Sequence, residues 1–179
     1  MSDAASRPPQ VVGIGMSTLD VLIRLREMPT WEQGARFSAF RLDGGGPVAT
    51  AMVAAARLGA RAAYVGVAGS DVAGQLKVRF LQENGLDLSH LVVREGPERS
   101  VIIVYVQEGT GERIFIGPAD AHGQPFTADD LDREWLLSAD SLHLDGHHGQ
   151  AALAAAQWMR AAGKTVVFDG GRTRGGGRG

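Results

Sequence analysis

The 179-residue sequence contains no cysteine, so it can form neither disulfides nor thiolate metal sites, and it offers no cysteine nucleophile. Net charge is also nearly absent, because 18 lysines and arginines almost balance 20 aspartates and glutamates. Such a balance gives no electrostatic reason to expect nucleic acid or a membrane as partner. No apolar run approaches the roughly eighteen residues of a membrane-spanning helix. We therefore expect a soluble, cytoplasmic protein.

Both ends of the sequence lack the residues that build a core. Residues 1–10 (MSDAASRPPQ) are polar and contain proline, which predicts a disordered tail rather than a signal peptide. Residues 170–179 (GGRTRGGGRG) contain only glycine, arginine and threonine, which predicts an irregular tail. Residues 11–169 remain, and their length suits one domain.

Within that domain, strand-like and helix-like segments alternate. A short apolar run at Val11–Ile14 predicts a buried strand, and Ser141–Leu144 and Thr165–Phe168 predict two further strands. An alanine-rich segment at Gln150–Ala162, stopped by Gly163, predicts a helix. This alternation predicts a doubly wound α/β fold with a largely parallel sheet, in which ligands bind at the carboxyl ends of the strands.

Two segments do not fit a parallel layer. Residues 35–42 alternate apolar and polar side chains, which predicts a half-exposed strand. Residues 101–116 contain the β-rich runs VIIVYV and RIFI on either side of a glycine-containing turn, which predicts a hairpin. We predict that these strands form a small β appendage that acts as a lid.

Three consecutive glycines, Gly44–Gly46, precede Pro47 and a helix rich in small residues that ends at Gly59. Glycines let a backbone approach a ligand closely, and a helix amino terminus offers free N–H groups. This pattern suits a hydroxyl-rich or anionic small molecule. A plain tight turn is the alternative that the local sequence leaves open.

The run GGGPVATAMVAAARLGA followed by YVGVAGSDVAG resembles the first signature region of the PfkB, or ribokinase-like, carbohydrate kinases. Gly45 and Gly46 match the di-glycine of that family, and Gly69, Asp71 and Gly74 match its G-x-D-x-x-G turn. The resemblance extends over almost the whole chain. It implies a ribokinase-like fold, truncated at its C-terminal side, and an enzyme that phosphorylates a sugar hydroxyl.

The resemblance also implies sugar-binding roles for individual side chains. The family holds sugar hydroxyls with an aspartate at the place of Asp20, which is otherwise a solvated turn residue. Many members carry asparagine where this chain has Thr50, and the threonine variant resembles the branch that contains sulfofructose kinase. Asp145 follows a predicted strand and precedes Gly146-His147-His148, where relatives often place a substrate contact. A purely structural role in that loop is the alternative, and the sugar remains open.

Three further groups of polar residues could carry chemistry. Arg113 follows the hairpin turn and would reach an anionic substituent if the lid closes, or else remains a solvated edge-strand residue. His147 and His148 have no third ligand nearby, so we expect no metal site. Asp71 is expected to cap a helix rather than act as a base. The predicted substrate-binding residues are Asp20, Gly45, Gly46, Thr50, Arg113 and Asp145.

The sequence contains neither a Walker lysine motif nor the Gly-Ala-Gly-Asp segment of the family's catalytic signature. The resemblance implies that full-length members need ATP and Mg²⁺, and that the nucleotide site and the catalytic base lie in a half that this chain lacks. We therefore expect no catalytic or cofactor-binding residue here. Three hypotheses stand: the front half of a sugar kinase, a non-catalytic sugar-binding module that dimerises through the lid, or a non-functional fragment from a truncated or frame-shifted reading frame.

Overall fold

A computed structural model describes residues 7–119 and 126–171 of the chain, so most of the two predicted tails lies outside the described residues. The elements in chain order are β1 (Val11–Ile14), β2 (Thr18–Leu25), β3 (Phe37–Gly45), α1 (Pro47–Arg57), β4 (Ala62–Val65), β5 (Val67–Gly69), α2 (Val72–Glu83), β6 (Val92–Arg94), β7 (Val101–Gln107), β8 (Arg113–Ile116), a 3-10 turn (Ala128–Asp130), α3 (Arg133–Ser138), β9 (Ser141–Leu144), α4 (Gly149–Ala161) and β10 (Thr165–Phe168).

The central sheet has the strand order β10-β9-β1-β4, and all its neighbouring strands are parallel. This confirms the predicted α/β fold. One cluster of buried side chains packs the sheet against α3 and α4 and includes Val12, Leu142 and Met159. A second cluster packs α1 and α2 against the sheet and includes Met52 and Leu81. Helices therefore supply two separate cores for the central sheet.

Helix α1 starts where the glycine run predicts. Gly46 caps it with a φ of 96°, in the region that only glycine adopts readily, and Pro47 occupies the first turn. A Cβ on Gly13 would overlap the side chains of Val48 and Met52. The absence of a side chain at Gly13 therefore lets α1 pack closely against β1.

The lid sheet is a second four-stranded sheet, in the order β3-β2-β7-β8. β2 pairs antiparallel with β3 and parallel with β7, and β7 and β8 form an antiparallel hairpin. The strand expected at residues 35–42 runs from Phe37 to Gly45. Residues Val21–Ile23 form the middle of β2. The chain leaves the central sheet at Gly15 and enters the lid sheet at Thr18.

Helix α2 begins as predicted, with the Asp71 side chain accepting a hydrogen bond from the Gly74 amide at 2.9 Å. The acidic segment after Thr127 forms a 3-10 turn followed by α3. Asp132 caps α3 by accepting from the Trp135 amide at 2.9 Å. A short parallel pair, β5 with β6, was not apparent from the sequence.

None of the helices in the described part of the chain combines the length and the apolar character needed to cross a membrane.

Candidate functional site

An open cleft of about 610 Å³ lies between the amino terminus of α1, the lid sheet and the carboxyl end of β10. This volume lies within the range of sites that bind small molecules. The location agrees with the sequence-based expectation that ligands bind at the carboxyl ends of the parallel strands. The cleft is lined by Met16, Thr18, Asp20, Gly46, Pro47, Thr50, Ala51, Ala54, Ile102, Phe115 and Asp169.

Asp20 is the half-buried carboxylate of this cleft. Its Oδ1 accepts a hydrogen bond from the Thr18 hydroxyl at 2.6 Å. Partial burial raises the pKa of Asp20 above its ordinary value, and the negative charge of Asp43 raises it further, while the Thr18 hydroxyl opposes both. Asp43 lies directly opposite Asp20 on β3. A carboxylate has about four acceptor positions, so Asp20 retains capacity for hydroxyls of a ligand.

The two predicted glycines allow close backbone approaches, and Gly45 makes room for this carboxylate. A Cβ on Gly45 would overlap the carboxylate of Asp20 and the hydroxyl of Thr18, and a Cβ on Gly46 would overlap the Met16 carbonyl. The amide N–H groups of the first helical turn, which the sequence suggests as ligand donors, have partners within the protein. That of Val48 donates to the Asp145 carboxylate at 3.4 Å.

Thr50, in the first turn of α1, is exposed and lines the same cleft as Asp20 and Gly46. Ile102 and Phe115 contribute apolar surface from the lid strands β7 and β8. The cleft therefore combines hydroxyl and carboxylate oxygens with an apolar wall. Such a mixture suits a ring that has polar hydroxyls at its edge and apolar C–H groups on its faces.

Asp145 does not line this cleft, and its side chain is only 2% exposed. Its Oδ2 accepts from the Met16 amide at 2.9 Å, and its Oδ1 accepts from the His147 amide at 3.0 Å. Burial alone would raise the pKa of Asp145, but the hydrogen bonds from the His147 ring and from these amides lower it to about 2. The carboxylate thus joins β9 to the segment between β1 and β2, and its predicted substrate contact remains a prediction.

The two histidines line a neighbouring cavity of about 190 Å³ that shares Met16, Thr18 and Ile102 with the cleft. The hydrogen bond to Asp145 raises the pKa of His147. Burial lowers the pKa of His148, which caps α4 with a left-handed φ of 55°. Among the described residues, no three His, Cys, Asp or Glu side chains lie close enough together to hold a metal ion.

Arg113 lies outside the cleft. It is exposed on β8, opposite Val106, and lines a separate groove with Tyr105 and Glu112. Two residues along the same strand, Phe115 reaches the cleft instead. The sequence predicts this hairpin as part of a lid, but it does not single out Phe115 or Ile102 as residues that line the site.

Comparison with known proteins places the chain among sugar kinases. The family described as pfkB family carbohydrate kinase matches residues 11–171. An ATP-dependent ribose-1-phosphate kinase of Halopiger xanaduensis is 30% identical over 166 residues, which make up 93% of this chain and 55% of that protein. The chain therefore spans about half the length of this curated relative.

Solved structures show the same fold. A putative ribokinase from Agrobacterium tumefaciens superposes with a TM-score of 0.81 and 26% identity, over 93% of this chain and 54% of that one. The ribokinase of Arabidopsis thaliana, complexed with ribose and ATP, superposes with a TM-score of 0.78 and 21% identity, over 92% and 55% respectively. The fold is therefore ribokinase-like, and the chain belongs to the pfkB family of carbohydrate kinases.

Proposed function

We propose that this chain is the sugar-binding part of an ATP-dependent kinase that phosphorylates a hydroxyl of a sugar or sugar-like molecule. One observation carries the proposal: the half-buried carboxylate of Asp20 lies in a cleft that Ile102 and Phe115 of the lid line with apolar side chains. The names of two relatives support it: one is an ATP-dependent ribose-1-phosphate kinase, and the other is a ribokinase complexed with ribose and ATP.

Each side chain of the cleft has a role in this proposal. Asp20 accepts hydrogen bonds from two neighbouring hydroxyls of the sugar, and such charge-assisted bonds are stronger than neutral ones. Thr50 adds a hydroxyl that can both donate and accept. Phe115 and Ile102 cover a C–H face of the ring and exclude water. In the described part of the chain no Lys, Arg or His side chain lines this cleft, which favours an uncharged ring at this position.

We propose that the nucleotide site and the catalytic base lie in the part of the family members that this chain does not span. ATP, when bound, supplies the phosphoryl group, and Mg²⁺ neutralises the charge that develops on it. Here Asp20 and Thr50 orient the sugar and the lid residues keep water from it. We therefore expect the 179-residue chain to bind sugar but not to phosphorylate it. We also propose that the protein is cytoplasmic, where ATP is available to such kinases.

A second candidate, dimerisation through the lid, has its own observation. Phe37 and Phe40 on β3 are 60% and 54% exposed, and their ring centroids are 6.3 Å apart. A pair of exposed aromatic rings on a sheet edge is typical of an interaction surface. We propose that two copies of the chain associate through this pair.

The sugar site is tested by isothermal titration calorimetry with a panel of ribose, fructose and ribose 1-phosphate. We compare the wild-type chain with Asp20→Asn, and with Asp43→Asn as the matched control on the opposite strand. Losing one charged acceptor is expected to weaken binding about 30-fold in Asp20→Asn, and Asp43→Asn is expected to bind like the wild type. Absence of binding to every sugar, or equal losses in both variants, would contradict the site. Phosphorylation of any sugar by the chain alone with ATP would contradict the absence of a base.

A further inference from the structure

A buried ion pair lies at the root of the lid, which we define as residues 98–100, just before lid strand β7. The Lys77 ammonium contacts the Glu98 carboxylate at 2.6 Å, and the two side chains are only 1% and 3% exposed. Burial lowers the pKa of Lys77, and Glu98 opposes that shift. Neither side chain lines the cleft of Asp20. A buried ion pair is often no more stabilising than apolar residues of the same volume. A contribution to stability therefore does not explain why this pair is present.

The carboxylate of Glu98 holds three segments together. It accepts hydrogen bonds from the Gly69 amide of β5 at 3.0 Å and from the Ser100 amide at 2.8 Å, and it contacts Lys77 of α2. The Lys77 ammonium also donates to the Val67 carbonyl at 2.8 Å. Helix α2, strand β5 and the residues just before β7 are thus fixed to one another.

The G-x-D-x-x-G turn provides the other side of this arrangement. Asp71 accepts from the Glu98 amide at 3.1 Å with the same Oδ1 that caps α2. A Cβ on Gly69 would overlap the Glu98 backbone, and a Cβ on Gly74 would overlap the Gly69 carbonyl. Each of the three motif residues is therefore needed to seat Glu98 against the turn.

The segment held in this way leads directly into the lid. The Ser100 carbonyl accepts from the Leu19 amide at 2.9 Å, and β7 begins at the next residue. The register then places Ile102 opposite Asp20. Any shift of residues 98–100 therefore displaces Ile102 relative to Asp20 within the cleft.

We propose that the Lys77–Glu98 pair, seated on the Gly69–Gly74 turn, is a positioning device that sets lid strand β7 over the cleft. Lys77 and Glu98 are then positioning residues for sugar binding, although they do not contact the sugar. The anchoring of β7 stands on the contacts described above, while its effect on affinity rests on the proposed function.

The anchoring is tested by amide hydrogen exchange on the full chain. Replacing Lys77 alone would leave an unpaired buried carboxylate and risk the fold, so the main variant is Lys77→Met with Glu98→Leu, which removes both charges at similar volume. Glu98→Gln is the second variant, because its amide oxygen can still accept a hydrogen bond from Lys77, and Met159→Ala, a core residue of α4, is the destabilised control. If the double variant does not fold, Glu98→Gln carries the comparison.

In the double variant we expect the amides of β7 to exchange about tenfold faster than in the wild type. The amides of β9 should exchange at an unchanged rate, because the loss is local to the lid. Met159→Ala should lose protection in β9 at least as strongly as in β7. Unchanged protection of β7 in the double variant, or equal losses in β7 and β9, would overturn the anchoring.

Sugar affinity is measured on the same variants. A small displacement of a positioning group weakens binding strongly, so we expect the Kd of the double variant to rise roughly tenfold, with a smaller rise in Glu98→Gln and none in Met159→Ala. Loss of β7 protection without a change in Kd would overturn the role in binding, as would an equal change in Met159→Ala. If the wild-type chain binds no sugar, the proposed function fails, and the exchange data still decide the anchoring.

Discussion

The inner strands of the central sheet and the outer strands of the lid sheet differ in how far their apolar side chains are buried. Val12 and Leu142, on the inner strands of the central sheet, are completely buried. On the lid sheet, Phe37, Phe40 and Phe115 are 54 to 64% exposed. Apolar burial is the main favourable term in folding, so the central sheet carries the stability of the domain. The lid leaves its apolar surface available for a ligand and for another chain.

The largest difference between the two sheets should appear in stability. Leu142→Ala removes a fully buried side chain and is expected to lower the free energy of unfolding by about 3 kcal/mol. Phe115→Ala, in the lid, removes a ring that is 64% exposed and is expected to cost less than about 1 kcal/mol. Urea denaturation followed by circular dichroism measures both. Equal losses would show that the lid contributes as much to stability as the core.

Asp145 stands at the junction of the two sheets, where it fixes the segment that leads from β1 into β2. Its pKa of about 2 lies below the ordinary 3.8, so its ionised form stabilises the fold by about 2 kcal/mol. That contribution is complete above pH 3.8 and disappears as the pH falls towards 2. Asp145→Asn should therefore unfold at lower temperature than the wild type near neutrality, and the difference should vanish in acid.

His147→Ala is the matched variant for this prediction, because it removes the ring contact and leaves the amide contacts of Asp145 in place. The pKa of His147 is raised above 6.5, so its contribution is present below that pH and is lost as the pH rises through the raised pKa. Thermal unfolding across this pH range should show a smaller loss than in Asp145→Asn. A pH-independent difference for Asp145→Asn would contradict the role of the charge.

The exposed aromatic pair of β3 offers a smaller effect, on association alone. Replacing Phe37 and Phe40 by serine should weaken dimerisation about tenfold, because buried aromatic rings dominate such contacts. Sedimentation velocity at several concentrations measures the change, and titration with sugar serves as the control. A monomeric wild-type chain would exclude this interface. A loss of sugar affinity in the same variant would show that the outer strand and the cleft are not independent.

Arg113 should show the smallest effect. Its side chain lies in a groove apart from the cleft, so Arg113→Ala is expected to change the Kd for an uncharged sugar by less than about twofold. The same calorimetric titration measures it, with Asp20→Asn as the positive control. A larger loss would indicate that β8 moves when the sugar binds and brings Arg113 to the site.

The sequence predicts the central sheet better than the lid. The observed ends of three strands were predicted: Val11–Ile14, Ser141–Leu144 and Thr165–Phe168. For Val11–Ile14 the reason is that a strand buried in a parallel sheet appears as a continuous apolar run. β2 was harder to assign, since its residues are half-buried and its sheet depends on which strands pair with it. The local pattern contains no information about that pairing.

The candidate site could also be predicted only in part from the sequence. Gly46 and Thr50 lie in one continuous motif, Asp20 was predicted from the family resemblance, and the structure brings all three to one cleft. Asp145 and Arg113 were predicted from their places at strand ends, but the direction of a side chain depends on its hydrogen-bond partners. For Asp145 these partners are backbone amides distant in sequence.

The buried ammonium of Lys77 has a practical consequence for chemical labelling. The chain has two lysines, and each donates to a backbone carbonyl: Lys77 to that of Val67 and Lys164 to that of Ala139. Acylating reagents require an accessible, deprotonated amine, so the Lys77 side chain should resist them for as long as the lid root stays closed. The extent of Lys77 acylation, measured by mass spectrometry, would therefore report how often this root opens. The more accessible Lys164 serves as the internal reference.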